Sequence, residues 1–371
     1  MFISKIEVRE VKMELTSPFE TSFGREHEKR TIIVSVEADG EVGYGECPAG
    51  DTPFYSYETT DISWYALTRY LAPALAGREV KGGMDVPALL RRVRGYNMAK
   101  AALEEAVWDA QARRENVPLS RLLGGVKDRV ESGVSVGIQE SIDELVKVVG
   151  RYVEEGYPRV KVKIKPSWDL TVVHRLRVEF PEIPLMVDAN GAYDISQKAV
   201  IKALDRYGLM MIEQPFGYDD LVDHAAIQKE IRTPICLDES VPSLGAVRAA
   251  LKLGSCRVIN VKVSRVGGLC EAVRIHDLCM SEGVPTWVGG MLETGVGRAV
   301  NVALASLPNF TLPNDISASN RYYHEDIVEP PFELNSDGTI SVPRGGGLGV
   351  EVVWERLERA TVRSRVFKAG G

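Results

Sequence analysis

Along the middle of the sequence, charged side chains recur at an almost constant interval: Lys163, Asp188, Glu213, Asp238 and Lys262, at steps of 25, 25, 25 and 24 residues. Each falls in or at the end of a short apolar run, such as Val160-Lys161-Val162-Lys163-Ile164 or Leu185-Met186-Val187-Asp188. A lone acid at such a place is commonly a surface charge. Three at equal spacing on otherwise apolar segments are harder to dismiss, because buried like charges repel and each is driven toward its neutral form. A divalent cation removes that conflict. All-oxygen ligation by Asp188, Glu213 and Asp238 suits Mg2+, with Mn2+ as the alternative, over zinc, which prefers His and Cys. One lysine beside the acids would make a structural ion pair. Lysines arriving from both flanks, Lys161 and Lys163 on one side and Lys262 on the other, read as a pair of proton-transfer groups, since burial beside other cations lowers a lysine toward the neutral form a base needs. The corresponding chemistry is abstraction of a proton alpha to a carboxylate, with the metal holding that carboxylate and stabilising the enediolate charge.

The interval is what one buried strand, one crossover helix and two short loops require, so each step reads as a βα unit. In a strand the side-chain period is two, which puts Lys161 with Lys163, Met186 with Asp188, Met211 with Glu213, Cys236 with Asp238 and Asn260 with Lys262 on one face. Barrel strands have no solvated face, so these charges must converge at the carboxyl-end rim where (β/α)8 barrels build their chemistry. Helical signals lie between the strands: Asp194 opens a segment closed by Gly208, and Ser243 and Gly254 bracket another. Upstream, Ser132 to Ile138 reads as the first barrel strand with Ser135 facing inward. Downstream, residues 285–290 and 310–315 read as strands seven and eight.

Residues 2–46 alternate like a small antiparallel sheet, with Asp39-Gly40 as a hairpin turn. Two aromatic loops are expected in this region, Thr16–Gly24 and Pro53–Tyr57. Residues 99–114 carry the periodicity of a helix buried on one face. The first domain is placed at 1–128, the barrel at 129–320, and the Pro- and Gly-rich tail, 321–371, is expected to pack back on the first domain. The run Gly345 to Gly347 lacks the Lys and following helix of a phosphate loop and reads as a turn.

The formal net charge of -7 is spread without basic blocks, which argues against nucleic acid or an anionic membrane as partner. No run is long and apolar enough for a membrane span, and the N-terminus lacks a signal-peptide core. The five cysteines form no CxxC pair, so a reduced, cytoplasmic protein is expected.

The Lys161-Val162-Lys163, Asp188-Ala189-Asn190, Glu213-Gln214-Pro215 and Asp238-Glu239-Ser240 stretches, with Lys262, resemble the enolase superfamily, specifically its muconate-lactonizing subgroup. Ser17-Pro18-Phe19, Lys161 to Pro166, Gly289 to Gly295 and Asp315 to Ser319 are similar to patterns of its o-succinylbenzoate synthase and N-acylamino acid racemase family. This resemblance implies an α/β fold, a modified (β/α)7β TIM-type barrel under an α+β capping domain. It implies Lys163 and Lys262 as the two acid/base residues and Lys161 and Asn190 as aids to carboxylate and metal, with Glu239 and Arg265 behind them. Arg265 would favour neutral Lys262, unless it is only a loop arginine paired with an acid. Ser135, Gly290, Met291 and Leu292 would line the pocket, and Phe19, Phe23 and Tyr55 would cover it from cap loops. The implied substrate is a small anionic carboxylate and the implied assembly a homo-oligomer. The implied activity is dehydration to o-succinylbenzoate in menaquinone synthesis, with racemisation of N-acyl or N-succinyl amino acids as a companion or as the main reaction. Muconate cycloisomerase and dipeptide epimerase are the other subgroup readings; the epimerases carry Asp-x-Asp on strand eight, where this chain has Asp315-Ile316-Ser317. A carboxylate-binding or structural barrel without turnover is the reading from another class.

Overall fold

The fold follows the two periodicities of the chain. A computed structural model describes residues 1–22 and 24–370. Seven parallel strands, Gly133–Val136, Arg159–Lys163, Leu185–Asp188, Ile212–Glu213, Ile235–Leu237, Val258–Val261 and Thr286–Val288, pair in sequence order. The register sets Lys163 beside Asp188 and Asp188 beside Glu213, so the equal interval becomes a row of neighbours. Below that row the same parity gathers Met186, Met211, Cys236, Val258 and Trp287 into a separate apolar cluster.

The eighth position is not a regular strand. Residues 310–315 touch the seventh and first strands only through isolated bridges, Thr286 to Phe310 and Ser132 to Asn314. Pro313 has no N–H to give a ladder. Asn314 and Asp315 still donate their N–H groups to Glu131 and Val288, at 3.0 and 2.9 Å, so the segment joins the two ends of the sheet. The first strand is also shorter than its apolar run, Gly133–Val136. Asp194, Ser243, Gly208 and Gly254 cap their helices as their residue types require.

Over the rim lies a four-stranded antiparallel sheet of Ile3–Glu20, Arg25–Ala38, Glu41–Cys47 and, from the tail, Thr361–Lys368. The expected loop at 16–24 is mostly hairpin arm: pairing lapses between Glu14 and Phe19, around Pro18, and resumes with Phe19 opposite Glu26. Trp354 and Glu358 also meet this sheet at Arg9, and Tyr322 O accepts from Thr16 N–H, whereas Thr339–Ser341 pairs with Arg129–Glu131, just before the first barrel strand.

The long helix Asn97–Glu115 is buried nearly all round, not on one face, because it is held between the cap sheet and the barrel helices. Its alanines, Ala99, Ala102, Ala106 and Ala110, pack against Val34 and Val36 of the sheet in the cap core. Close approach explains Gly43 and Gly45. A Cβ at Gly45 would lie 2.8 Å from Glu105 Cβ and would overlap the Ala102 carbonyl oxygen. Gly45→Val should therefore cost roughly 3 kcal/mol or more, as overpacking against backbone that cannot move. A urea melt checks this, and a change under about 0.5 kcal/mol, the size of an ordinary surface substitution, would show that the helix can shift.

Three buried acids of the cap are satisfied by helix amino ends. Glu46 accepts from the N–H groups of Thr294 and Gly297, at 3.1 and 2.9 Å, at the start of barrel helix Gly295–Ala305. Glu104 accepts from Cys270 N–H at 2.7 Å, at the start of Leu269–Ser281. Glu58 does the same for the long helix through Met98 N–H, at 3.0 Å. The cap is thus fastened to the barrel by carboxylates set where helix dipoles are positive. Burial still pushes Glu46 up to about 7.

Candidate active site

Strand parity and short βα loops bring the six charged groups together at the rim. Lys161, Lys163, Asp188, Glu213, Asp238 and Lys262 are all buried. Lys163 Nζ lies 2.6 Å from Asp188 Oδ2 and 2.7 Å from Asn190 Oδ1. Lys262 Nζ, across the acids, lies 2.8 Å from Asp238 Oδ2 and 3.0 Å from the Tyr55 hydroxyl, with its charge 4.3 Å from the Tyr55 ring centre. Tyr55 also donates to Asp238 Oδ1 at 3.0 Å, so a cap loop is tied to the barrel rim. Arg265 pairs with Asp238 and donates to Asn260 O, its fixed position beside Lys262 coming from the short helix that follows the sixth strand.

The loops after the strands are strained beside the charged cluster. Asn190, Gln214 and Leu292 have positive φ of 46, 37 and 59°, conformations that non-glycine residues hold only when their surroundings impose them. In Asn190 this aims Oδ1 at Lys163 while Nδ2 donates to Glu239 Oε1 at 2.9 Å. The Gln214 side chain accepts from Asp238 N–H at 3.0 Å and donates to Ser240 Oγ, holding the fourth and fifth strand ends in register.

The charge balance is uneven. Burial alone would lower Lys161, yet Asp315, Glu213 and Asp188, at 2.5, 3.0 and 3.3 Å, hold it well above the ordinary lysine range. Burial likewise opposes the charge on Lys262, but Asp238 outweighs it, so in this arrangement Lys262 is raised and not lowered as its neighbours in sequence suggest. Glu213 is the acid short of positive charge: burial, then Asp188 and Asp238, push it up to about 8. Burial and Asp238 similarly push Glu239 up to about 7, and its Oε2 is buried without a partner.

Among the described residues no three acidic, His or Cys side chains stand in a ready-made metal cage. Oxygens of Asp188 and Asp238 are turned onto ammonium and guanidinium groups instead. The donor set nevertheless fits a hard divalent cation: three carboxylates from adjacent strands, one of them under-compensated, with an unpartnered carboxylate oxygen of Glu239 beside them.

Above these groups is a cavity of about 560 Å3. Phe19, Tyr55, Ser135, Lys161, Lys163, Asn190, Lys262, Gly290, Met291 and Leu292 all line it. Phe23 lies outside the described residues. Asp188, Glu213, Asp238, Glu239 and Arg265 sit beneath the lining. A Cβ on Gly290 would meet Asp315 O at 2.5 Å, which explains the glycine. Asp315 and Arg159 are site neighbours not singled out from sequence: Arg159 pairs with Asp315 at 2.7 Å and stacks its guanidinium on Trp287. Parity held the signal, since Arg159 shares a face with Lys161 and Lys163. Asn260 is another, donating to Glu213 Oε1 at 2.7 Å.

Comparison with known proteins agrees with this geometry. Residues 3–124 match the mandelate racemase / muconate lactonizing enzyme N-terminal domain and residues 144–356 the enolase C-terminal domain-like family. The chain is 50% identical to an o-succinylbenzoate synthase of Geobacillus kaustophilus over 98% of its length and 97% of the relative's. It is 46% identical to an N-succinylamino acid racemase of Amycolatopsis, over 97% and 98%. A crystal structure of an enolase superfamily member from Listeria innocua superposes with a TM-score of 0.96 at 42% identity, covering 100% of both chains. The chain belongs to the mandelate racemase / muconate lactonizing enzyme group of the enolase superfamily, alongside o-succinylbenzoate synthases and N-succinylamino acid racemases.

Proposed function

We propose that this protein is an o-succinylbenzoate synthase, dehydrating 2-succinyl-6-hydroxy-2,4-cyclohexadiene-1-carboxylate, and that the same site racemises N-succinyl amino acids. The observation that carries this reading is the placement of Lys163 and Lys262 on opposite sides of one acid cluster, both opening into one cavity. Relatives with both names align over essentially the whole chain.

In the dehydration, Lys163 removes the proton alpha to the ring carboxylate. The electron pair moves into the carboxylate as an enediolate, whose charge the Lys262 ammonium faces. Hydroxide then leaves and the ring becomes aromatic; proton and hydroxide sum to water. In racemisation the two lysines work on opposite faces of the alpha carbon, one taking the proton and the other returning one. Superfamily members typically depend on a divalent metal; here Asp188, Glu213 and Asp238 would hold it, Mg2+ in our reading with Mn2+ as substitute, and it would supply charge stabilisation for the substrate carboxylate. The charge of Asp315 is already balanced by Arg159 and Lys161, which disfavours it as the partner of a substrate ammonium group and so disfavours dipeptide epimerisation.

We take residues 1–128 with 321–371 as the cap and 129–320 as the catalytic barrel, supported by the pairing of Thr361–Lys368 with the first strand. Among the described residues no helix is long and apolar enough to cross a membrane, and all five cysteines are free; both support a cytoplasmic protein, which we read as a homo-oligomer from its family.

Steady-state turnover with Mg2+, on the cyclohexadiene carboxylate and on N-succinyl amino acids of both hands, tests the reading. Dehydration faster than racemisation supports a synthase; racemisation with negligible dehydration makes it a racemase; neither, with metal bound, leaves the non-catalytic barrel. Asp238→Asn should weaken divalent-cation binding by at least about 10-fold, the size of effect that even outer-shell changes produce. Calorimetric titration reads this directly, and an unchanged affinity removes Asp238 from the ligand set.

A further inference from the structure

Four lysines are buried among the described residues: Lys29, Lys161, Lys163 and Lys262. The last three each lie within 2.8 Å of a carboxylate. Lys29 does not. Its Nζ donates to two main-chain carbonyls, Pro48 O at 2.8 Å and Ala49 O at 3.2 Å, and no carboxylate of the described residues pairs with it. An ammonium taken out of water without a counter-charge is costly, and two carbonyl dipoles leave its third donor and its net charge uncompensated.

Its position says what the counter-charge is. Along Arg25–Ala38, alternate residues face the barrel: Ile33 packs into the barrel core cluster, and Thr31 bonds Glu46 at 3.0 Å, the acid that holds Thr294. Lys29 is on that same face and lines the same cavity as Lys163 and Lys262, from the cap wall. The groups that handle a carboxylate at the reacting carbon all stand on the barrel rim. Both substrates of the proposed function carry a second carboxylate at the far end of a succinyl arm.

We infer that Lys29 is the specificity-determining counter-charge for that far, succinyl carboxylate. The inference rests on the proposed function for the identity of the substrate, and on the unpaired buried ammonium for the site. The competing explanation is that Lys29 only ties the 48–49 segment to the hairpin.

The test uses the metal-loaded protein with an N-succinyl amino acid and with its terminal amide, equal in length but without the far charge. Wild type should prefer the acid by about 10- to 100-fold in kcat/KM, the range for a hydrogen bond to a charged group, with the difference mainly in KM. Lys29→Met should bring that preference close to one, and Lys29→Arg should keep most of it. Equal losses on acid and amide in Lys29→Met would assign the residue to the loop tie and overturn the inference. So would a wild type that does not discriminate, a result that stands even if Lys29→Met fails to fold. If wild type turns over neither substrate, the racemisation part of the proposed function fails on its own. The inference is then decided by calorimetric binding of o-succinylbenzoate and its succinyl amide: a preference for the dianion that Lys29→Met removes supports it, and no preference overturns it.

Discussion

Lys163→Ala and Lys262→Ala should each lower turnover by about 10²–10⁴-fold, the range for losing a positioned proton-transfer group, while thermal stability and divalent-cation binding change little. The acids explain the second half. Without Lys163, Asp188 keeps Lys161 at 3.3 Å; without Lys262, Asp238 keeps Arg265. No acid is left buried and bare. The two variants differ in one informative way. Exchange of the alpha proton with heavy water should survive for one hand of an N-succinyl amino acid in Lys163→Ala and for the other hand in Lys262→Ala, because each remaining lysine still reaches one face. Full activity in either variant, or loss of exchange from both hands in both, would remove the two-lysine mechanism.

Asp315→Ala should be the most damaging single change to the barrel, costing about 3–5 kcal/mol by stranding partners of a buried charge. Arg159 would keep only Pro313 O and the Trp287 ring, and Lys161 would lose its nearest acid. Burial works against the Asp315 carboxylate, but Lys161 and Arg159 outweigh it and hold it well below its ordinary value of 3.8. The sign follows from that depression: the stabilisation is complete above the ordinary carboxylate range and is lost as pH falls through and below it. Urea melts should therefore show the gap between wild type and Asp315→Ala narrowing from pH 7 toward pH 3. A gap that widens on acidification would mean the ion pair is not its source.

The rim was readable because a parallel barrel converts a sequence interval directly into neighbouring positions. Lys163, Asp188, Glu213, Asp238 and Lys262 needed only period two and the length of a βα unit. What the chain hid are contacts between segments with no shared period. Pro313 breaks the eighth strand, so Asp315 reads as a lone acid until Arg159 and Lys161 are seen around it. The long helix looked one-sided because its acids, Glu104, Glu105 and Asp109, are polar by type; they are buried because amide donors from other segments meet them. The lapse in pairing after Glu14 disguised a hairpin arm as a loop. Lys29 gave no signal at all, since its oddity is the absence of a partner, which only three dimensions can reveal.

The tail strand has a consequence for biosynthesis. Arg9, on the first strand, bonds Glu358, 349 positions later, just before the strand that completes the cap sheet. The barrel strands, by contrast, each pair with the strand next in sequence. On a ribosome the barrel can zip up as it emerges, while the edge of Ile3–Glu20 stays bare until Thr361–Lys368 arrives. Since Tyr55 and Phe19 reach the rim cavity from that late-finished cap, a nascent chain would carry Lys163 and Lys262 long before it could enclose a ligand around them.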